Sequence, residues 1–345
     1  EVWISEAQER SVFAVPPENI EACRAVFDAE DCESAVIGTF TDTGRLVLRW
    51  HGEVVADMLM SFLHDGTPKP TRKARWTPPS LQDPGLPPLD DAGASLLACL
   101  AHPDVASKEW IVRQYDHEVQ GTSVVKPFVG TRSDGPSDGA VLRPLDSTYA
   151  GCAISCGANP RYGLIDPYRM ALAVIDEALR NSVAVGGNPD HTAILDNFSW
   201  GNCDNPERLG ALVLAARACH DGAMAYGTPF ISGKDSLNNE YRVGDRTIAI
   251  PPTLLISALA KVEDVRHATT MDFKQAGNSI YLVGATSAEL GGSVLYDLLS
   301  GGSGTTGGTV PAPDLELAPR LMRALAKAIA TSQVRTCHDL SEGGL

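Results

Sequence analysis

The chain has 345 residues, of which 43% are hydrophobic and 21% charged, ordinary globular material and enough for two or three domains. A formal charge of −15 argues against gripping a nucleic-acid backbone, and an acidic chain that handles anions must concentrate Lys, Arg and metal ions locally. No apolar run reaches the roughly 18 residues of a membrane span and no signal segment opens the chain, so a cytoplasmic protein without membrane or nucleic-acid partners is expected.

In chain order, residues 11–15 read as a strand, 17–29 as a helix with Pro17 at its start, and 35–38 and 45–50 as strands. Seven prolines fall between Thr67 and Pro88, among Lys69, Arg72, Lys73 and Arg75, which predicts a linker with no packed element. A short helix over 94–101 follows. Two long helices are punctuated alike: one opens at Asp166-Pro167 and runs to Gly186, the other opens at Asn205-Pro206 and ends at Gly227. Strands are expected at 192–195, 228–231, 248–260, 279–283 and 334–338, and a helix at 317–330. The segment 301–308 is Gly or Ser at six of eight positions and reads as flexible. The alternation predicts an α/β (α+β) fold with short connections and no short repeat. Eight cysteines are scattered without a Cys-x-x-Cys pair or zinc spacing, so reduced thiols are expected, with Cys152 and Cys156 as packing residues. The chain opens at Glu1-Val2-Trp3 without Met and stops at Gly343-Gly344-Leu345, just after an expected strand and ligand turn, which is the pattern expected of a fragment of a larger polypeptide.

The segment Pro229-Phe230-Ile231-Ser232-Gly233-Lys234-Asp235-Ser236 carries the strongest chemical signal. A strand end, a glycine that lets backbone approach a ligand, and a cation beside a hydroxyl are parts of a phosphate site. It is not a Walker A loop, because five residues separate Gly227 from Gly233 and Asp235 follows Lys234. Glu177 and Asn181 lie four apart on one helix face, where two oxygens can hold a hard cation such as Mg2+. The simpler reading there is a solvated Glu paired with Arg180. Asp138 leads a turn into a strand, Asp196 and Asn197 close a strand, and Asp339 with Ser341 repeats that design. Each is weak alone; four acidic or amide positions at element ends beside two Gly-Ser turns are harder to dismiss.

Asp196-Asn197-Phe198-Ser199-Trp200-Gly201-Asn202, Gly233-Lys234-Asp235-Ser236 and His338-Asp339-Leu340-Ser341-Glu342-Gly343-Gly344 resemble the phosphoribosylformylglycinamidine synthase family. Tyr115-Asp116-His117-Glu118-Val119-Gln120-Gly121, Asn159-Pro160-Arg161-Tyr162-Gly163 and Glu6-Ala7-Gln8-Glu9-Arg10 are similar to it too, so the resemblance covers essentially the whole chain in order. It implies a tandem of aminoimidazole-ribonucleotide-synthetase-like N-domains and C-domains, with mixed sheets and helices packed on one face. Residues 1–65 would be the tail of a first C-domain, 66–104 the Pro-rich linker and short helix, 105–262 a second, nucleotide-binding N-domain, and 263–345 the truncated start of a second C-domain. The activity implied is conversion of formylglycinamide ribonucleotide, ATP and glutamine-derived ammonia to the amidine.

By the same resemblance Asp196 and Gly233 match residues near ATP, Lys234 a phosphate contact, and Ser236 one on the substrate. Asp138, Glu177, Asn181 and Asp339 match Mg2+ ligands of a second nucleotide site, and Ser137 and Ser341 its ATP/ADP contacts. Large family members show the Gly-Lys-Asp-Ser form seen here, whereas small ones often carry Asn in place of Lys234. The family's catalytic His and main Mg2+ ligands belong to a first N-domain, and its ammonia comes from a glutaminase domain or subunit. Neither is recognisable in this chain, so no catalytic residue is assigned, His117 and His338 read as structural, and the chain alone is expected to be inactive. Two alternatives stand beside this reading: a non-catalytic ADP/Mg2+-binding scaffold half of that assembly, and another ATP-dependent synthetase of the superfamily.

Overall fold

The computed structural model describes residues 2–8, 10–86, 88, 91–302, 307–341 and 344. Glu9, Pro87, Glu342, Gly343 and positions 303–306 of the Gly/Ser-rich segment lie outside the described residues. The chain divides into two compact units, Glu1–Thr71 and Arg72–Leu345. No helix among the described residues is long and apolar enough to cross a membrane.

The first unit holds helix α1 (Ile20–Ala29), a hairpin of β1 (Arg45–Trp50) and β2 (Glu53–Leu59), and helix α2 (Met60–Asp65). The hairpin pairs antiparallel, with Arg45 opposite Leu59 and an irregularity between Leu48 and Arg49. Residues 11–15 and 35–38, expected as strands, carry no regular structure, and Val12, Val36 and Ile37 are exposed. A β-prone stretch becomes a strand only where a neighbour takes its N–H and C=O groups.

The second unit runs through α3 (Ala92–Ala101), α4 (Glu109–Val112), β3 (Ser123–Val125), β4 (Phe128–Val129), β5 (Gly135–Pro136), β6 (Ala140–Leu142), β7 (Gly151–Ala158), α5 (Pro160–Ile165) and α6 (Pro167–Ala184). It continues with β8 (Thr192–Ser199), α7 (Pro206–Tyr226), β9 (Phe230–Ser236), β10 (Glu240–Val243), β11 (Arg246–Ala249), β12 (Thr253–Val262), α8 (Val294–Leu299) and α9 (Ala318–Ala330). Six strands make one sheet in the order β3-β6-β7-β12-β8-β9. All its pairs are antiparallel except β8 with β9, which α7 joins as a crossover.

The long helices begin where the caps predict. The Asp166 side chain accepts from the backbone N–H of Tyr168 and Arg169, and that of Asn205 from Glu207 and Arg208, with proline next in each. Gly227 closes α7 in the left-handed conformation, φ 69°, where a side chain would be strained. Both helices cover one face of the sheet. Met170, Val174, Ile175 and Ala178 of α6 meet Ala211, Ala215 and Ala218 of α7 and Ile194, Leu254 and Ile256 of the strands in one buried cluster. The opposite face leaves Ile154, Cys156, Leu255 and Leu259 exposed, so Cys156 is not the packing residue expected: on β7 its side chain alternates away from the helices.

Several other expectations are corrected. Strand 228–231 extends to Ser236 and strand 192–195 to Ser199, because parallel pairing runs from Ile194 with Phe230 to Ser199 with Ser236 and satisfies the backbone of the polar residues. Residues 248–260 are two strands broken at Ile250-Pro251-Pro252, since proline has no N–H for a ladder. Residues 279–283 and 334–338 form no strand, and Ile280 and Tyr281 are exposed. The Pro-rich stretch has no helix or strand among its described residues, yet part of it is packed. Arg75 N–H donates to Pro206 O (2.9 Å), Glu207 accepts from Thr77 N (2.8 Å) and Thr77 Oγ1 (3.1 Å), and Trp76 packs on the core.

Candidate functional site

The candidate site residues fall into two groups. The first is built by the parallel pair β8 and β9, which sets Asp196 opposite Gly233, Asn197 opposite Lys234, Phe198 opposite Asp235 and Ser199 opposite Ser236. Asp196 and Gly233 share the helix-facing side. A Cβ on Gly233 would lie 2.3 Å from an oxygen of the Asp196 carboxylate, so only glycine fits without moving that group. Lys234 and Ser236 face the other way, and the ammonium donates to the hydroxyl at 2.8 Å. The Gly-Lys-Asp-Ser stretch is thus strand, not a turn beyond one. A rigid edge strand fixes its groups more tightly than a loop would.

Burial pushes the Asp196 carboxyl above the ordinary carboxylate range and the charge of Asp235 adds to that, while the backbone N–H of Lys234 opposes it. Beside it, burial and then Asp196 push the Cys219 thiol up to about 12. The native state therefore holds the Asp196 proton more tightly than the unfolded chain. Its favourable contribution is present below the ordinary Asp value of about 3.9 and is lost as pH rises through the raised native value. Asp196→Asn is expected to be more stable than the parent at pH 7 and to lose that advantage at about pH 3. Urea midpoints at the two pH values test this; a variant less stable at pH 7 would contradict it.

The second cluster joins the loop before β6, the last described residues, and helix α6. Asp138 has a side chain only 5% exposed; its Oδ1 accepts from His338 Nδ1 (2.8 Å) and from the Asp339 N–H (3.2 Å). His338 Nε2 lies 3.0 Å from Gly344 O. Both ring nitrogens face acceptors, an arrangement that favours the doubly protonated ring. The hydrogen bond to Asp138 accordingly raises the His338 pKa against the opposing effect of burial. Asp339, 1% exposed at its side chain, faces Arg180 Nη1 with Oδ1. Asp138 Oδ2 and both Asp339 carboxylate oxygens are buried with no hydrogen-bond partner among the described residues.

Helix α6 supplies the rest. Glu177 Oε2 accepts from Ala158 N–H (3.1 Å), and buried Asn181 donates through Nδ2 to Cys156 O (3.0 Å), which leaves its amide oxygen for a cation. Ser137 Oγ donates to Gly139 O (2.7 Å), and Ser341 O accepts from Gly344 N–H (3.1 Å). The structure thus brings Asp138 and Asp339 into direct contact and holds Glu177 and Asn181 against β7. Among the described residues, no group of three or more His, Cys, Asp and Glu side chains is arranged to hold a metal ion.

Arg180 departs from the expected surface partner of Glu177. Its Nε donates to Asp176 Oδ2 at 2.5 Å, and its Nη1 reaches Asp339. Asp176 in turn accepts from the Tyr226 hydroxyl at 2.5 Å; burial and then Asp176 raise that phenol's pKa. The signal for Asp176 with Arg180 was present as an i,i+4 pair. Nothing local pointed to Asp339 as the second partner.

Two family models fit this chain. That of the AIR synthase related protein N-terminal domain matches residues 136–259, and that of the corresponding C-terminal domain matches 1–51 and 275–345. Curated relatives align over all of it. The phosphoribosylformylglycinamidine synthase subunit PurL of Anaeromyxobacter dehalogenans (strain 2CP-C) is 36% identical over 354 residues, covering 100% of this chain and 44% of the relative. That of Ignicoccus hospitalis is 38% identical over 349 residues, covering 100% and 46%. Among solved structures, T. maritima PurL complexed with ATP is 19% identical, with a TM-score of 0.46, covering 73% of this chain and 37% of that one. The chain belongs to the phosphoribosylformylglycinamidine synthase PurL family of AIR synthase related proteins. It spans less than half the length of the curated relatives it matches.

Proposed function

We propose that this chain forms part of a cytoplasmic ATP-dependent ligase that converts formylglycinamide ribonucleotide to its amidine, and that it carries a Mg2+–nucleotide pocket of its own. On this reading 1–65 closes a first C-domain, 66–104 links, 105–262 is a second N-domain and 263–345 opens a second C-domain. The remaining N-domain and a glutaminase domain or subunit would supply the other half of the active site and the ammonia.

One observation carries the pocket: Asp138 and Asp339 are nearly inaccessible, the Asp138 carboxylate accepts the Asp339 backbone N–H, and Asp138 Oδ2 and both Asp339 carboxylate oxygens are buried without a hydrogen bond among the described residues. Buried charge of one sign is costly unless paired. Asp138, Asp339, Glu177 and the Asn181 amide would offer Mg2+ the oxygen ligands it takes, completed by water and phosphate, once the ion draws these separate groups together. When bound, the ion would neutralise phosphate charge and fix the polyphosphate. Ser137 and Ser341 offer hydroxyls for that nucleotide. In the first cluster Lys234 offers a point charge for phosphate and Ser236 a hydroxyl for the ribonucleotide substrate. Gly233 lets ligand approach the backbone, and Asp196 stands beside it.

Calorimetric titration of ADP and ATP, with and without Mg2+, tests the pocket. Binding is expected only with Mg2+, and at least about tenfold weaker in Glu177→Ala. Equal affinity in that variant would overturn the assignment. Amidine formation after adding the family's first N-domain and an ammonia source separates a catalytic half from a nucleotide-stabilised scaffold.

A further inference from the structure

We propose that Arg180 is an internal counter-ion that occupies Asp339 in the absence of metal and must release it for a divalent cation to bind; this rests on the pocket reading above. The arrangement is one-sided. Arginine usually meets a carboxylate with two parallel N–H groups. Here Nε is committed to Asp176, which is itself held by the Tyr226 hydroxyl, and only Nη1 reaches Asp339. Oδ1 meets Nη1 as an ion pair, yet neither Asp339 oxygen has a hydrogen bond among the described residues, so the guanidinium leaves the carboxylate unsatisfied.

Accessibility is asymmetric too. The Asp339 side chain is 1% exposed whereas that of Arg180 is 34% exposed. The carboxylate cannot leave the pocket, but the guanidinium can turn toward solvent about its Asp176 anchor. Asp176 and Tyr226 keep it close while it does so. The same cluster pairs Asp138 with His338 Nδ1 at 2.8 Å, so each buried carboxylate meets one nitrogen-bearing side chain. Arg180 is the one whose charge is permanent. It therefore sets the affinity of the pocket for the cation: a fixed positive charge beside Asp339 competes with the ion for the same oxygens.

The test is Mn2+ binding to the nucleotide-free chain by calorimetry and by the loss of the free-ion electron paramagnetic resonance signal. Arg180→Gln is expected to bind Mn2+ about tenfold more tightly, whereas Arg180→Lys, which keeps the charge, should stay near the parent. Damage to the fold would weaken binding, so a tightening cannot come from that source. Unchanged or weaker binding in Arg180→Gln overturns the proposal. If the neutral variant does not fold, the parent supplies the readout: the Arg180 Nε–H resonance should shift in step with Mg2+ occupancy. A resonance indifferent to saturating Mg2+ overturns the proposal equally. Asp339→Asn separates the two readings. Mn2+ binding that survives Asp339→Asn sinks the pocket itself; binding that Asp339→Asn abolishes while Arg180→Gln leaves it unchanged sinks the counter-ion alone.

Discussion

Trp200→Ala is expected to destabilise the 72–345 unit by ~4 kcal/mol, among the largest effects of any single truncation in this chain. Trp200 is 0% exposed and packs in the main core cluster, its ring centre 5.8 Å from that of Phe198 at 57°. Its indole N–H donates to Arg208 O at 3.0 Å, so the side chain joins the end of β8 to the first turns of α7. Its backbone completes the same corner, donating to Ser236 O (2.8 Å) and accepting from Asn239 N–H (2.8 Å). Alanine would remove the buried ring, leave a cavity between strand and helix, and take the hydrogen bond from Arg208. Urea unfolding followed by circular dichroism should show a lower midpoint. A shift of less than about 1 kcal/mol would mean that the corner collapses to fill the space. Because Ser236 is tied to this corner, the candidate substrate edge should loosen in step.

What the sequence revealed and what it hid follows from the range of the interactions. The starts of α6 and α7 were legible because Asp166 and Asn205 act on N–H groups two and three residues away, and the stop of α7 because Gly227 needs only its own φ. The lengths of β8 and β9 were not, since polar Gly233, Lys234, Asp235 and Ser236 become strand only through pairing with residues some 37 positions earlier. Apolar alternation at 11–15, 35–38, 279–283 and 334–338 says which residues would share a face, not whether a neighbouring strand arrives. The Pro-rich stretch was legible as irregular, but its docking on Glu207 was not, because nothing in Arg75 or Thr77 names a partner 132 or 130 residues away. The same holds for the site. Glu177 and Asn181 share a helix face by spacing alone, whereas the contact of Asp138 with Asp339 joins positions 201 apart and reached the sequence reading only through resemblance. Arg180 shows the limit most clearly: its local partner was one of the acidic residues on its own helix, and its consequential partner lay at the far end of the chain.

Gly157→Ala should cost on the order of 3 kcal/mol and abolish cation-dependent nucleotide binding together with it. β7 and α6 approach closely at Gly157. A Cβ there would lie 2.2 Å from Val174 O, 2.9 Å from Ala178 N and 3.0 Å from Glu177 Cβ. Two of those atoms are helix backbone, so no rotamer change relieves the overlap and the helix must move off the strand. Its flanking residues make the contacts that hold the candidate ligands: Cys156 O receives the Asn181 amide, and Ala158 N–H holds the Glu177 carboxylate. Lifting α6 breaks both and carries Arg180 away from Asp339, so stability and binding are lost through one displacement. A strand substitution that leaves this contact alone, such as Cys156→Ser on the exposed face, should lower neither by a measurable amount. Urea midpoints and Mg2+–ADP titrations on the two variants give the comparison. If Gly157→Ala kept wild-type nucleotide affinity while losing stability, the close approach of α6 to β7 would be a packing feature with no part in positioning Glu177 and Asn181.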